Sequence, residues 1–197
     1  MNEQLEASTN FYQSMSMRRS IRNFSRKKVS KKILINAIKT AATAPSGANK
    51  QPWHFAIVNK QEIKDEIRRA AEEVERDFYQ RRASNIWLED LKPFKTGPIK
   101  PYLSQASSLI VVFTRTEQSY YPIESTGIAV GFLLASLHQS GLATLTHTPK
   151  PMTFLNSKLG LDKTYRPYMI IVAGYAQKSI ELPLITKKPL CEILSLH

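Results

Sequence analysis

This chain of 197 residues has a single cysteine, no acidic residue between Ala7 and Lys60, and no apolar run long enough to cross a bilayer. The lone Cys191 has no disulfide partner and cannot assemble a thiolate metal site, which fits a reducing compartment. It sits between Leu190 and Ile193, where plain packing accounts for it. Without a run of about 18 apolar residues, no transmembrane helix is expected. The N-terminal MNEQLEASTN lacks the charged-then-apolar layout of a secretory signal, so the expected location is the cytoplasm. His54, His138, His147 and His197 are too scattered for a zinc site, and no metal is expected. Also missing are a G-x-S-x-G elbow, an H-E-x-x-H helix, a Walker loop and a G-x-G-x-x-G turn. Their absence removes the common hydrolase, zinc-protease, nucleotide-triphosphatase and dinucleotide-binding readings.

What is present is positive charge. Lys plus Arg minus Asp plus Glu is 28 − 16 = +12, and eleven basic residues fall between Ala7 and Lys60. Such a bias attracts anions. No zinc-finger, RNA-recognition or basic-zipper pattern accompanies it, so a phosphorylated small ligand fits better than nucleic acid. The five basic residues between Arg26 and Lys32 read most simply as a solvated surface.

Hydrophobic periodicity predicts an α+β chain of roughly four strands and five or six helices. Residues 5–17 are predicted helical, with Leu5, Phe11 and Met15 near one face. A second helix follows Val29-Ser30, Ser30 serving as N-cap and Val29 stapling onto Leu34. Strands are predicted at His54–Val58, Ser107–Thr114, Ala143–Thr148 and Pro167–Tyr175. The apolar SSLIVVFT run reads as a central strand buried on both faces. Gln61–Arg82 and Ile123–Gln139 read as long helices, the second stopped by Gly141. Pro151–Leu159 reads as a short one. The tail beyond Ala176 carries Leu182, Leu184, Ile185, Leu190, Ile193 and Leu194, too apolar to float free. It is expected to wrap on another surface, plausibly a second subunit.

Three segments can carry chemistry. Arg18-Arg19-Ser20-Ile21-Arg22 places three guanidiniums in five residues, a set that suits a phosphate in planar forks but equally an exposed basic turn. The small residues of Ala44-Pro45-Ser46-Gly47-Ala48 would let a flat ligand approach the backbone, and Gln51-Pro52-Trp53 stiffens the entry to the next strand. Glu75 and Tyr79, four apart on the long helix, share a face. With Lys100 they could hold a zwitterion, although their spacing alone reads as a solvated helix face.

The RRSxR turn, the helix after it and the APSGA…PW segment together resemble the flavin-binding signature of the FMN-dependent nitroreductase superfamily. The resemblance implies a nitroreductase-like fold: a central mixed sheet flanked by helices, in an intertwined homodimer with FMN at the interface. It implies one domain over residues 1–197, a lid at about 71–100 and a C-terminal arm at about 177–197. By position, Arg18, Arg19, Ser20 and Arg22 face the ribityl-phosphate and pyrimidine side of FMN. Pro45 and Ser46 lie near the ring, and Thr146, His147 and Thr148 form the strand end beside flavin N5. Lys187 stands where relatives place an arginine on the phosphate, keeping charge but losing the fork.

Within the superfamily, the stretch from Ile67-Arg68 through Glu75, Tyr79, Trp87, Asp90-Leu91-Lys92 and Ile99-Lys100 to Tyr102-Leu103 resembles the lid of the iodotyrosine deiodinase branch. That implies reductive dehalogenation of halotyrosines such as 3-iodotyrosine. Glu75 would take the substrate ammonium, Lys100 the carboxylate, and Tyr79 a hydrogen bond. Ala48 would offer its N–H to the phenolate, and Thr148 its hydroxyl to N5. Electrons would come from an external donor, NAD(P)H or a reductase. His147 stands between two threonines where the vertebrate enzymes carry another threonine, and the Lys95-Thr96-Gly97-Pro98 stretch is more kinked than the corresponding lid loop. No counterpart of the vertebrate enzymes' membrane anchor is expected in this sequence. The alternative reading is a broad-specificity NAD(P)H-dependent nitro- or quinone reductase.

Overall fold

The chain is described by a computed structural model over residues 2–117 and 119–197. Four strands make its centre: β1 (Trp53–Val58), β2 (Ser108–Arg115), β3 (Ala143–His147) and β4 (Tyr165–Gly174). They lie in the order β1-β2-β4-β3, every neighbouring pair antiparallel. Strand β2 is buried at every residue except Arg115, which explains its unbroken apolar run. Leu109, Val111 and Phe113 point to one face and Ile110 and Val112 to the other, as the two-residue strand period requires.

Each face is covered by helices. Helices α2 (Lys31–Ala42) and α6 (Pro122–Gln139) pack Leu34, Ala37, Ala41, Val130, Leu133 and Leu137 against Ile110, Val112, Ile171 and Ala173. On the opposite face lie α3 (Gln61–Asp77), α5 (Tyr102–Gln105) and α7 (Phe154–Leu159). From these, Ile67, Ala71, Leu103 and Leu155 meet Leu109, Val111, Leu145 and Val172. Burying one strand surface on each side is the standard solution for a sheet with two apolar faces.

Local chemistry sets the ends of these elements. After α6, Gly141 adopts φ +73°, its N–H donates to His138 O, and the Leu142 N–H donates to Leu137 O. This is a Schellman closure with the expected apolar pair of Leu137 and Leu142 beneath it. At α2, Ser30 holds the N-cap position, but only its backbone carbonyl caps, accepting from Ile33 and Leu34 N–H. Val29 packs on the cluster that holds Leu34, as a staple should. Strand β4 starts two residues earlier than the sequence predicts, at Tyr165, and its register with β2 slips between Val112 and Phe113. Pro167, which has no N–H for the ladder, sits at that slip.

Two expectations need correction. The mixed sheet reduces, among the described residues, to an antiparallel sheet with one parallel bridge, Ser20 to Thr144. That bridge lays the Arg18–Arg22 strap along the free edge of β3, where Ile21 N–H also donates to Thr144 O. The predicted helix Gln61–Arg82 is α-helical only to Asp77 and continues as a π turn over Phe78–Arg82, closed by Ala83 N–H on Phe78 O. Such a turn often marks a functional site. The next segment holds a short helix that periodicity did not reveal, α4 (Asn85–Leu91), capped by Ser84 Oγ on Trp87 N–H.

Helix α1 (Glu3–Ser16) has no fully buried residue within the chain. Leu5, Phe11, Tyr12 and the following Met17 are exposed. Its end docks on α6 through His138 Nε2 and Ser14 O at 2.8 Å.

Candidate active site

Helix α3, the π turn, α4 and the loop to Lys100 enclose a cavity of 540 Å³ against the end of β3. Seven of the residues singled out from the sequence line it together: Arg22, Glu75, Tyr79, Lys100, Thr146, His147 and Thr148. Phe78 and Trp87 pack edge-to-face at 4.7 Å and form part of the cavity wall, with Leu91 and Thr96 beside them.

The charged end is nearly dry. Lys100 Nζ lies 3.0 Å from Glu75 Oε2, with side-chain exposures of 4% and 12%. The ammonium also faces the Tyr79 ring, 5.4 Å from its centroid. The Tyr79 hydroxyl is 3.2 Å from Thr96 Oγ1, which ties the π turn to the loop before Lys100. The Lys100 backbone N–H donates to Glu72 Oε1 at 2.7 Å, and the same oxygen accepts from Arg68 Nε at 2.7 Å. Glu72 and Glu75 are three apart on α3, so one helix face both fixes the Lys100 backbone and pairs its ammonium.

Behind this pair stands His147, only 7% exposed. Its Nδ1 is 3.4 Å from the Tyr102 hydroxyl and its Nε2 is 4.0 Å from Glu75 Oε1. Burial, then Lys100 and Arg22, lower its pKa to about 3, so it is neutral at physiological pH and makes no ion pair with Glu75. Burial and the Glu75 charge push the Tyr102 phenol above its ordinary value, so it keeps its proton. A protonated phenol is able to donate to Nδ1, and in the tautomer that accepts it Nε2 carries the imidazole proton.

This has a pH consequence. Unfolded His147 takes up a proton below about pH 6.5, whereas the folded form refuses it until near pH 3. Stability is therefore lost as pH falls through that window, by at most about 1.4 kcal/mol per unit. Between pH 7 and 5, urea unfolding of the wild type is expected to lose about 2 kcal/mol more than unfolding of His147→Gln. Equal losses in the two proteins would remove His147 as the cause.

The other residues singled out lie elsewhere in the chain. Arg18, Arg19 and Ser20 belong to the strap along β3, and an Arg19 guanidinium N–H donates to Pro183 O of the C-terminal arm. Pro45, Ser46 and Ala48 lie in the loop before β1, across the sheet from β3. There Ser46 Oγ accepts from Gln51 N–H at 2.9 Å, and Ala48 is exposed with φ +48°. Lys187 is exposed on the arm. Two contributors were missed. Tyr102 had been read only as part of a motif, and Glu72 not at all, although Arg68 and Glu72 at i and i+4 were a visible pairing signal.

The cavity suits an anionic planar ligand. Arg22, Arg82, Lys100 and Lys150 line it against Glu75. Arg82 is tied to Asp77, while Arg22 makes no ion pair among the described residues.

The chain belongs to the nitroreductase family, whose model matches residues 15–175. Among its relatives are iodotyrosine deiodinases. That of Haliscomenobacter hydrossis is 43% identical, over 99% of this chain and 92% of its own length. The human iodotyrosine deiodinase 1 is 36% identical, over 98% of this chain and 70% of its own length. A crystal structure of oxidized iodotyrosine deiodinase bound to FMN and 3-iodo-L-tyrosine superposes with a TM-score of 0.81 at 30% identity, covering 91% of this chain and 98% of that one. A BluB-like flavoprotein from Clostridium difficile 630, at 21% identity and TM-score 0.74, shares the fold.

Proposed function

We propose that this chain is an FMN-dependent reductive dehalogenase of halotyrosines such as 3-iodotyrosine. The observation that carries the reading is the convergence of Glu75, Tyr79 and Lys100 at one dry end of a cavity whose other side is the Thr146–Thr148 strand end. The relatives at 36–43% identity and the deiodinase crystal structure point the same way.

FMN, when bound, supplies the electrons. Arg18, Arg19, Ser20 and Arg22 would hold its phosphate and pyrimidine side, with Lys187 on the phosphate. Pro45 and Ser46 would flank the ring, and the Thr146–Thr148 strand end would meet its N5 side. The chain's own work is to bind and orient the substrate. Glu75 takes the ammonium, Lys100 the carboxylate, and Tyr79 steadies the lid against Thr96. Their burial strengthens each charge interaction and excludes water. The Ala48 N–H stabilises the phenolate, and the Thr148 hydroxyl donates a hydrogen bond at the cofactor. The overall change replaces a C–I bond by C–H, consuming two electrons and one proton and releasing iodide. The electrons originate in an external donor, NAD(P)H or a reductase.

Because Pro45, Ser46 and Ala48 lie apart from the cavity of their own chain, a second copy would have to supply them. The exposed apolar residues of α1, α6 and the arm support a homodimer. No described helix is long and apolar enough to cross a membrane, and a cytoplasmic location fits the reading.

The test is a titration of the oxidised, yellow protein with 3-iodotyrosine, following flavin fluorescence. Saturable quenching that tyrosine matches only weakly supports the reading. No response, with fast NAD(P)H-dependent reduction of nitroaromatics, would replace it with a broad nitro- or quinone reductase.

A further inference from the structure

The buried side chain of His147 has no role in the reading above. Along β3, Thr146 is exposed while Thr144, Leu145 and His147 are buried. The imidazole thus enters the protein rather than solvent. Its Nε2 is fully buried with no hydrogen-bond partner, and a buried N–H left so costs roughly 1–3 kcal/mol. Native structures keep few such groups, and one inside a functional cavity calls for an explanation. Glu75 Oε1 lies 4.0 Å away, too far for a hydrogen bond. The groups facing the ring are Tyr102, Glu75, Lys100 and Arg22.

Glu75 meets Lys100 through Oε2, at 3.0 Å. A zwitterionic ligand must separate that pair, because its carboxylate claims Lys100 and its ammonium claims Glu75. Glu75 then needs a second anchor on the side of Oε1. The geometry points to His147 as that anchor: a positioning residue whose Nε2–H closes onto Glu75 Oε1 when the ligand's ammonium takes Oε2. Tyr102 completes the chain by donating to Nδ1 and so fixing the tautomer that keeps a proton on Nε2. The side chain of His147 thereby serves recognition of an α-ammonium rather than FMN. A cation in its place would compete with the ammonium for Glu75. The low basicity that burial imposes keeps the ring a neutral donor. This inference rests on the halotyrosine reading.

The experiment compares the FMN-loaded wild type with His147→Leu, His147→Gln and Tyr102→Phe, measuring the Kd for 3-iodotyrosine by flavin quenching and the Kd for FMN by dilution. A hydrogen bond to a charged group is worth about a factor of 10 to 100 in binding, so H147L is expected to weaken 3-iodotyrosine binding at least about 10-fold. H147Q, whose amide N–H can reach the same oxygen, is expected within about 3-fold of wild type. Y102F, which frees the tautomer, is expected to fall between. The Kd for FMN is expected to stay within about 2-fold throughout. If FMN affinity falls in step with substrate affinity, His147 is a cofactor ligand and the inference is overturned. It is equally overturned if H147L binds 3-iodotyrosine like wild type, or if H147Q fails as badly as H147L. H147Q and Y102F keep the comparison decisive should H147L not fold. If the wild type itself shows no quenching, the halotyrosine reading falls and takes this inference with it.

Discussion

Glu75→Gln is expected to raise the Kd for 3-iodotyrosine about 100-fold while leaving FMN bound. The substitution keeps the shape of the side chain and removes its charge. In the ligand complex it deletes the counter-charge of a desolvated ammonium, and truncating one partner of a buried hydrogen-bonded charge pair costs about 2–5 kcal/mol. In the free protein it leaves the Lys100 ammonium, 4% exposed, with no carboxylate at 3.0 Å. A melting temperature lower by roughly 5–10 °C is expected from that strain, since about 3 kcal/mol corresponds to such a shift in a domain of this size. Isothermal titration with 3-iodotyrosine, beside the flavin absorbance of the purified variant, separates the two effects. Loss of substrate and FMN in equal measure would make Glu75 a structural residue rather than a substrate ligand.

Removing residues 181–197 is expected to convert the proposed dimer, of about twice 22.4 kDa, into monomer or aggregate, with loss of FMN. No residue from 181 to 197 is fully buried in its own chain. Leu184, Leu190, Ile193 and Leu196 are 97%, 65%, 65% and 87% exposed. Covering each such side chain is worth roughly 1.5–3 kcal/mol, enough in sum to hold two chains together. The arm also reaches the strap, where Pro183 O accepts from Arg19, so its loss disturbs the residues assigned to the phosphate. Light scattering after size exclusion, with the flavin-to-protein absorbance ratio, is the measurement. A truncated protein that remains a yellow dimer would sink both the swapped arm and the interfacial site.

The parts of this fold that were legible in the sequence are those where one local pattern decides the outcome. The apolar run before Thr114 announced a strand buried on both faces, and Gly141 announced a helix stop through its left-handed backbone. The Pro45–Trp53 and Arg18–Arg22 motifs carried the family. Harder to read were outcomes set by distant contacts. Strand direction in the sheet depends on pairings such as Leu109 with Val172, which no local pattern records. The π turn at Phe78–Arg82 follows a helix of ordinary sequence, and α4 carries exposed Ile86 and Trp87 that obscure its periodicity. In the site, Glu75, Tyr79 and Lys100 were visible because a family pattern weighted them. Glu72 and Tyr102 were not, since each acts by holding another residue.

The strap along β3 has a consequence for the life of the protein in a cell. Strand β3 lies at one margin of the sheet, and an uncovered margin is a template for pairing with other chains. Here the cover is the Ser20–Ile21 backbone, flanked by the arginines assigned to the cofactor. Whatever pins those arginines also pins the cover. By mass action, ligand excess over Kd adds directly to the stability of the folded, guarded form. Riboflavin-starved cells would therefore accumulate less of this protein, and more of it in inclusion bodies, even with transcription unchanged.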